Sequence, residues 1–252
     1  MHYTDTGGSG PVVVLGHGFF LDQQMFDAQA TALAPRYRVV AIDARGHGLT
    51  DDGGESFSYW DLARDAWSVL DELGVERAVV GGMSQGGFTA LRMALLNPGR
   101  VDGLILLGTS AEAYSPKQKI GYREVMDTWM GTTPLAPIAK TMASVMIGGT
   151  RADWQPWVDK WLDSDRTRLR LAADCLINRE SITEMLGTVT CPAVLIRGIS
   201  DQAFDHAEME TLAEALGGPA QLHTVDGATH AANITHPHEV NAMIARFLDE
   251  IY

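Results

Sequence analysis

Short runs of β-branched and aliphatic residues alternate along this chain with longer stretches in which apolar positions recur every three or four residues. In order they are "PVVVLGHG" at 11–18, "QQMFDAQATALA" at 23–34, "YRVVAIDARGHG" at 37–48, "SYWDLARDAWSVLDEL" at 58–73, "RAVVGGMSQGG" at 77–87, "FTALRMALLN" at 88–97 and "VDGLILLGTS" at 101–110. The two periods predict strands alternating with helices. Unbroken apolar runs such as 12–15 and 104–107 offer water no polar face, so they fit a parallel sheet covered on both sides. The expected class is α/β, a doubly wound and mostly parallel sheet.

After Thr109 the rhythm stops. Residues 111–186 read as helical, with Trp and Met at helical intervals and Pro116, Pro134, Pro137 and Pro156 as punctuation. It resumes with the strand "CPAVLIRGISD" at 191–201, the helix "HAEMETLAEAL" at 206–216, the strand "AQLHTVDGATH" at 220–230 and the helix "HPHEVNAMIARFLDEI" at 236–251. The expected organisation is therefore a core of residues 1–110 and 187–252 interrupted by a helical insertion at 111–186. "DTGGSGP" at 5–11 reads as a turn after a short first strand.

Composition narrows the partners. The 252 residues carry a formal charge of −13, with no Lys/Arg cluster to oppose it. Such a surface repels phosphate backbones and anionic lipid, so neither nucleic acid nor membrane is an expected partner. The first ten residues lack the basic start and apolar run of a secretion signal, and a cytoplasmic location is expected. Cys175 and Cys191 form no C-x-x-C pair and are expected to be free thiols.

One stretch carries chemistry. "VVGGMSQGG" at 79–87 sets Ser84 among four glycines behind two valines. A phosphate loop of the Walker type needs Lys and then Ser or Thr after its last glycine, but Phe88 follows Gly87. A dinucleotide fingerprint needs glycine where Ser84 stands. The remaining match is G-x-S-x-G over residues 82–86, a strained strand-to-helix turn that lifts a serine hydroxyl above the sheet. Gly82 and Gly86 remove the β-carbons that would crowd that turn, and no cofactor or metal is called for.

A serine nucleophile needs a base and a group to orient the base. In a parallel sheet such groups gather at the carboxyl ends of strands. Asp201 follows "AVLIRG" and His230 follows "LHTVDGAT", giving the order Ser, Asp, His. Asp205 and Glu112 are the competing acids. His206, His223, His236 and His238 have blander places at helix starts or inside a strand. The oxyanion that forms on attack needs two backbone N–H donors, one on the residue after the nucleophile, Gln85. The second is assigned to Phe19, after the glycines of "LGHGFF", with His17 read as a structural residue of that loop.

These residues resemble the α/β-hydrolase fold over essentially the whole length. The resemblance rests on "HGFF" at 17–20, "DARGHGLT" at 43–50, "GMSQGG" at 82–87, "RGISD" at 197–201 and "GATHAANITHPHEV" at 227–240. It implies that Asp43, Arg45 and His47 are scaffold, that the first antiparallel strand of the usual sheet is missing, and that residues 111–186 form a small helical cap after the sixth strand. It also implies an apolar pocket under the cap, with Trp129, Met130, Met146 and Trp154 as the expected lining. The expected activity is hydrolysis of a carboxylic ester or lactone through an acyl-enzyme on Ser84, as in the branch of esterases, enol-lactonases and cofactor-free haloperoxidases. Perhydrolysis by the same triad is the alternative, and a non-catalytic ligand-binding protein is a third reading.

Overall fold

The computed structural model describes residues 1–252. Its seven strands are β1 (Tyr3–Asp5), β2 (Val12–Gly16), β3 (Arg38–Ile42), β4 (Ala78–Met83), β5 (Val101–Leu107), β6 (Ala193–Gly198) and β7 (Ala220–Val225). They form one sheet in the order β1-β3-β2-β4-β5-β6-β7, in which only β1 runs antiparallel to its neighbour. The apolar runs lie where burial on both faces puts them: every residue of β4 and of β6 is buried. The strand that precedes the helical insertion is the fifth of the seven.

Ten helices complete the chain. Three lie among the first five strands: α1 (Asp27–Leu33), α2 (Tyr59–Glu72) and α3 (Gln85–Leu96). Between β5 and β6 stand α4 (Pro116–Met130), α5 (Leu135–Met146), α6 (Arg151–Asp163) and α7 (Arg170–Asn178). Then come α8 (His206–Ala215), α9 (Ala232–Thr235) and α10 (Pro237–Ile251). Local chemistry sets several starts. Ser58 and Asp61 close a capping box on α2, Ser115 and Gln118 one on α4, and Asp205 and Glu208 one on α8; each satisfies N–H groups that the first turn leaves free. The stretch at 23–34 is shorter as an α-helix than its pattern predicts, because Gln23–Phe26 forms a 3₁₀ turn before α1. No helix is long and apolar enough to cross a membrane.

The centre of the sheet is packed backbone to backbone. A β-carbon on Gly86 would sit 1.8 Å from the Gly16 carbonyl oxygen, and one on Gly82 would sit 2.3 Å from the same atom. The amino end of α3 is thereby seated directly on the carboxyl end of β2. Replacing Gly86 by Ala is expected to destabilise the fold by about 1–3 kcal/mol, since neither backbone has a side chain that can yield. Gly121→Ala, inside α4 with nothing near its missing β-carbon, is expected to be neutral or to stabilise by up to about 1 kcal/mol. Thermal unfolding of the two variants beside the wild type checks both.

Candidate active site

Ser84 occupies the bend between β4 and α3 with φ 53° and ψ −112°. It is one of two non-glycine residues with positive φ, the other being Phe20 at 69°. A left-handed non-glycine residue costs on the order of 1–3 kcal/mol and survives only where its surroundings hold it. Here β5 does so. The Ser84 N–H donates to the Leu107 carbonyl at 2.8 Å, and the Thr109 hydroxyl donates to the Ser84 carbonyl at 2.8 Å. The Ser84 side chain forms no capping bond to its own helix.

His230 and Asp201 stand after β7 and β6. Imidazole Nδ1 lies 2.9 Å from Asp201 Oδ2, and both side chains are buried. The other carboxylate oxygen accepts the backbone N–H groups of Ala203 at 2.8 Å and Phe204 at 3.2 Å. Burial alone would raise the Asp201 pKa. The His230 bond and the two amides outweigh it, and the carboxyl is held below its ordinary value of 3.8. An ionised Asp201 fixes Nδ1–H as the donor, leaving Nε2 free. Gly108, with φ 46°, passes beneath the pair where a β-carbon would be 2.9 Å from Asp201 Oδ2.

Ser84 and His230 line one cavity of about 270 Å³, together with Phe19, Phe20, Phe204 and residues of the insertion. Their side chains share it without a direct hydrogen bond, a spacing common before substrate tightens such a site. The Gln85 N–H is the first donor of α3 and has no partner in the preceding turn. The Phe19 N–H bonds to no backbone acceptor in the chain. Helix α3 also directs the positive end of its dipole at the Ser84 side chain.

Other candidates have structural duties. Asp205 caps α8, and Glu112 accepts the Thr183 hydroxyl. His17 donates Nδ1–H to the Gly18 carbonyl at 2.8 Å and accepts the Ala44 N–H on Nε2 at 2.9 Å. His47 is equally buried, with Nδ1 3.1 Å from the Arg45 carbonyl. Burial pushes both imidazoles below the usual histidine range, His47 far below it. Asp43 accepts the Gln23 N–H at 2.8 Å and the Leu49 N–H at 3.0 Å, and Arg45 pairs with Asp65 at 2.6 Å. His236 meets the Thr235 hydroxyl at 2.9 Å. Both cysteines are free thiols.

The expected pocket lining needs correction. Of the four residues named for it, only Met146 lines the cavity. Trp129 is almost wholly buried and packs on Phe20 with ring centroids 4.4 Å apart, while Met130 and Trp154 are half-buried against the core. The wall from the insertion is instead Tyr122, Val125 and Met126 of α4, Met142, Val145 and Met146 of α5 and Leu176 of α7, with Tyr114 ahead of them. The signal was present as the i, i+3, i+4 spacing of each helix. Of the two tryptophans, Trp129 is in the packed interior and Trp154 lies half-buried against it.

A doubly wound sheet with a strained serine bend between strand and helix, sharing a cavity with a histidine held by a carboxylate, defines a class of α/β enzymes. A family model described as alpha/beta hydrolase fold matches residues 11–147, and the chain belongs to that family. An AB hydrolase superfamily protein of Bacillus subtilis is 27% identical over 96% of this chain and 93% of its own length. The 3-oxoadipate enol-lactonase 1 of Acinetobacter baylyi is 24% identical over 96% of this chain and 90% of its own. Among solved structures, a thermophilic esterase from Thermogutta terrifontis superposes with a TM-score of 0.90 at 27% identity, covering 99% of this chain and 93% of that one.

The depressed Asp201 pKa has a defined sign in stability. A carboxyl that ionises more readily in the folded chain stabilises it above the unfolded pKa, and that contribution is lost as pH falls through the folded value. The stability difference between wild type and Asp201→Asn is therefore expected to be constant above about pH 5 and to shift toward Asp201→Asn below the ordinary carboxyl value of 3.8. Urea unfolding of both proteins from pH 7 to pH 3 measures it.

Proposed function

We propose that this enzyme is a serine hydrolase that cleaves a carboxylic ester or lactone of an apolar small molecule through an acyl-enzyme. The observation that carries the reading is the strained Ser84 bend opening into the same cavity as a histidine whose Nδ1 is bound to a buried, ionised carboxylate. The names of the esterase and lactonase relatives point the same way.

In this reading His230 Nε2 takes the Ser84 proton as Oγ attacks the carbonyl carbon. Asp201 keeps the ring in the Nδ1–H tautomer and balances the imidazolium that forms. The tetrahedral oxyanion is met by the N–H groups of Gln85 and Phe19, each donor contributing on the order of 3 kcal/mol to the barrier. The imidazolium then protonates the leaving alcohol, and water repeats the sequence on the acyl-enzyme. The apolar wall excludes bulk water, which strengthens each of these charge interactions. Residues 111–186 act as the cap that supplies this wall.

A fluorophosphonate probe is expected to label the native protein at Ser84 and to leave Ser84→Ala unlabelled. An intact native protein that takes no label would refute an activated serine. On a panel of p-nitrophenyl esters and lactones, Ser84→Ala is expected to lose kcat by a factor on the order of 10⁵–10⁶. Asp201→Asn, which favours the wrong tautomer, is expected to lose about 10⁴, whereas Asp205→Ala costs about 1 kcal/mol of stability and leaves kcat intact. Bromination dependent on peroxide and a short carboxylic acid would assign perhydrolysis to the same residues.

The rate is expected to fall in acid, because an imidazolium cannot act as base, while the depressed Asp201 pKa keeps that carboxyl ionised down to its ordinary value of 3.8. Initial rates from about pH 8 to about pH 4 check it, and a flat profile would contradict His230 as the base.

A further inference from the structure

The insertion forms one wall of the cavity that holds Ser84 and His230. Val125 of α4 and Met142 and Val145 of α5 line it, and the same three residues line a second depression on the outer surface. That depression, about 550 Å³, runs between α4 and α5, with Gly121 and Thr128 on one bank and Ile138 and Thr141 on the other. Helix packing accounts for it. Helix α5 is packed on α6 and α4 on α7, while α4 and α5 have no comparable contact with each other. Their facing sides form a seam with an apolar floor: Val125, Ile138 and Met142 are half-buried, and Val145 is 47% exposed.

We propose that this seam seats an alkyl chain of the substrate, so that the enzyme takes esters with extended, uncharged chains. The proposal rests on the serine-hydrolase reading above and names the substrate class of that site. The enclosed cavity, about 270 Å³, falls at the small end of ligand pockets. A chain that outgrows it leaves by the seam, because that is where wall and groove share residues. Met142 stands at this threshold, with an unbranched side chain that adapts to what passes it. The groove also selects against one chain type: its sole charged lining residue is Glu124, which repels a chain ending in a carboxylate.

The test is chain-length dependence in two series, p-nitrophenyl esters from acetate to dodecanoate and alkyl acetates from ethyl to dodecyl. In one series kcat/KM is expected to climb roughly twofold to fourfold per added methylene well past the length that fills the enclosed cavity, and that series tells whether the chain belongs to the acid or the alcohol. Thr141→Trp and Thr128→Asp change exposed positions on the banks and leave the cavity wall alone. They are expected to lower kcat/KM at least tenfold for the longest substrates and to leave p-nitrophenyl acetate hydrolysis unchanged. Activity that falls in both series beyond butyl-sized groups overturns the proposal while leaving the hydrolase reading standing. So does long-chain activity untouched by both variants. Failure to turn over any ester, acetate included, overturns both readings.

Discussion

The structure depends on a single strained bend. Ser84 is held at a positive φ that its side chain disfavours, and the restraint comes from three strands at once. Its N–H and carbonyl are fixed by Leu107, the last residue of β5, and by Thr109 just beyond it. The helix that follows is seated on β2, where Gly86 meets the Gly16 backbone. The bend itself ends β4. An error in the register of any of these strands would relax the strain and turn the hydroxyl away, so sheet packing and reactivity are one constraint. The strain, on the order of 1–3 kcal/mol, is held within a fold whose core joins 71 buried hydrophobic residues.

The histidines show how burial sorts chemistry by position. His17, His47 and His230 are all buried, yet only His230 has a carboxylate partner among them. The first two meet backbone groups and lie below the usual histidine range, so they serve as neutral struts at neutral pH. His17 bridges Gly18 to Ala44, tying the loop that carries Phe19 to the one that follows β3. The Gln85 side chain reaches the same region: its amide lies 3.5 Å from His47 Nε2, and its carbonyl accepts the Tyr59 hydroxyl at 3.3 Å. The two proposed oxyanion donors thus hang on elements joined behind them by a buried polar network. A charged imidazole there would disrupt it, and burial prevents that.

Much of this was legible in the sequence. The alternation of strand and helix fixed the core. The glycines around Ser84 mark a turn that crowding would forbid, and strand ends, where a parallel sheet collects reactive groups, point to Asp201 and His230. Two features were not legible. Phe20 adopts a left-handed φ with no glycine to announce it, since the restraint is tertiary: its carbonyl accepts Trp161 Nε1 at 2.7 Å and its ring lies against Trp129. The cavity wall was misread because the rotation of an inserted helix about its own axis is set by what it packs on. Tyr122, Val125, Met126 and Trp129 share one face of α4, and position along that face separates them: the first three line the cavity, while Trp129 packs on Phe20.

That packing links the insertion to the chemistry. Helix α6 is fastened to the loop after β2 twice, by the Trp161 bond to Phe20 and by the Lys160 ion pair with Asp22 at 2.6 Å. Helix α4 adds the Trp129 contact with Phe20. Phe20 follows the residue proposed as second oxyanion donor, so in that reading the helices of the insertion also hold the backbone that would stabilise charge. In the proposed reading the indoles act on rate through the loop, and the smaller side chains of α4 and α5 act on selectivity through the wall. The division follows from geometry: a bulky side chain buried between layers transmits position, and a half-buried one facing a cavity transmits shape.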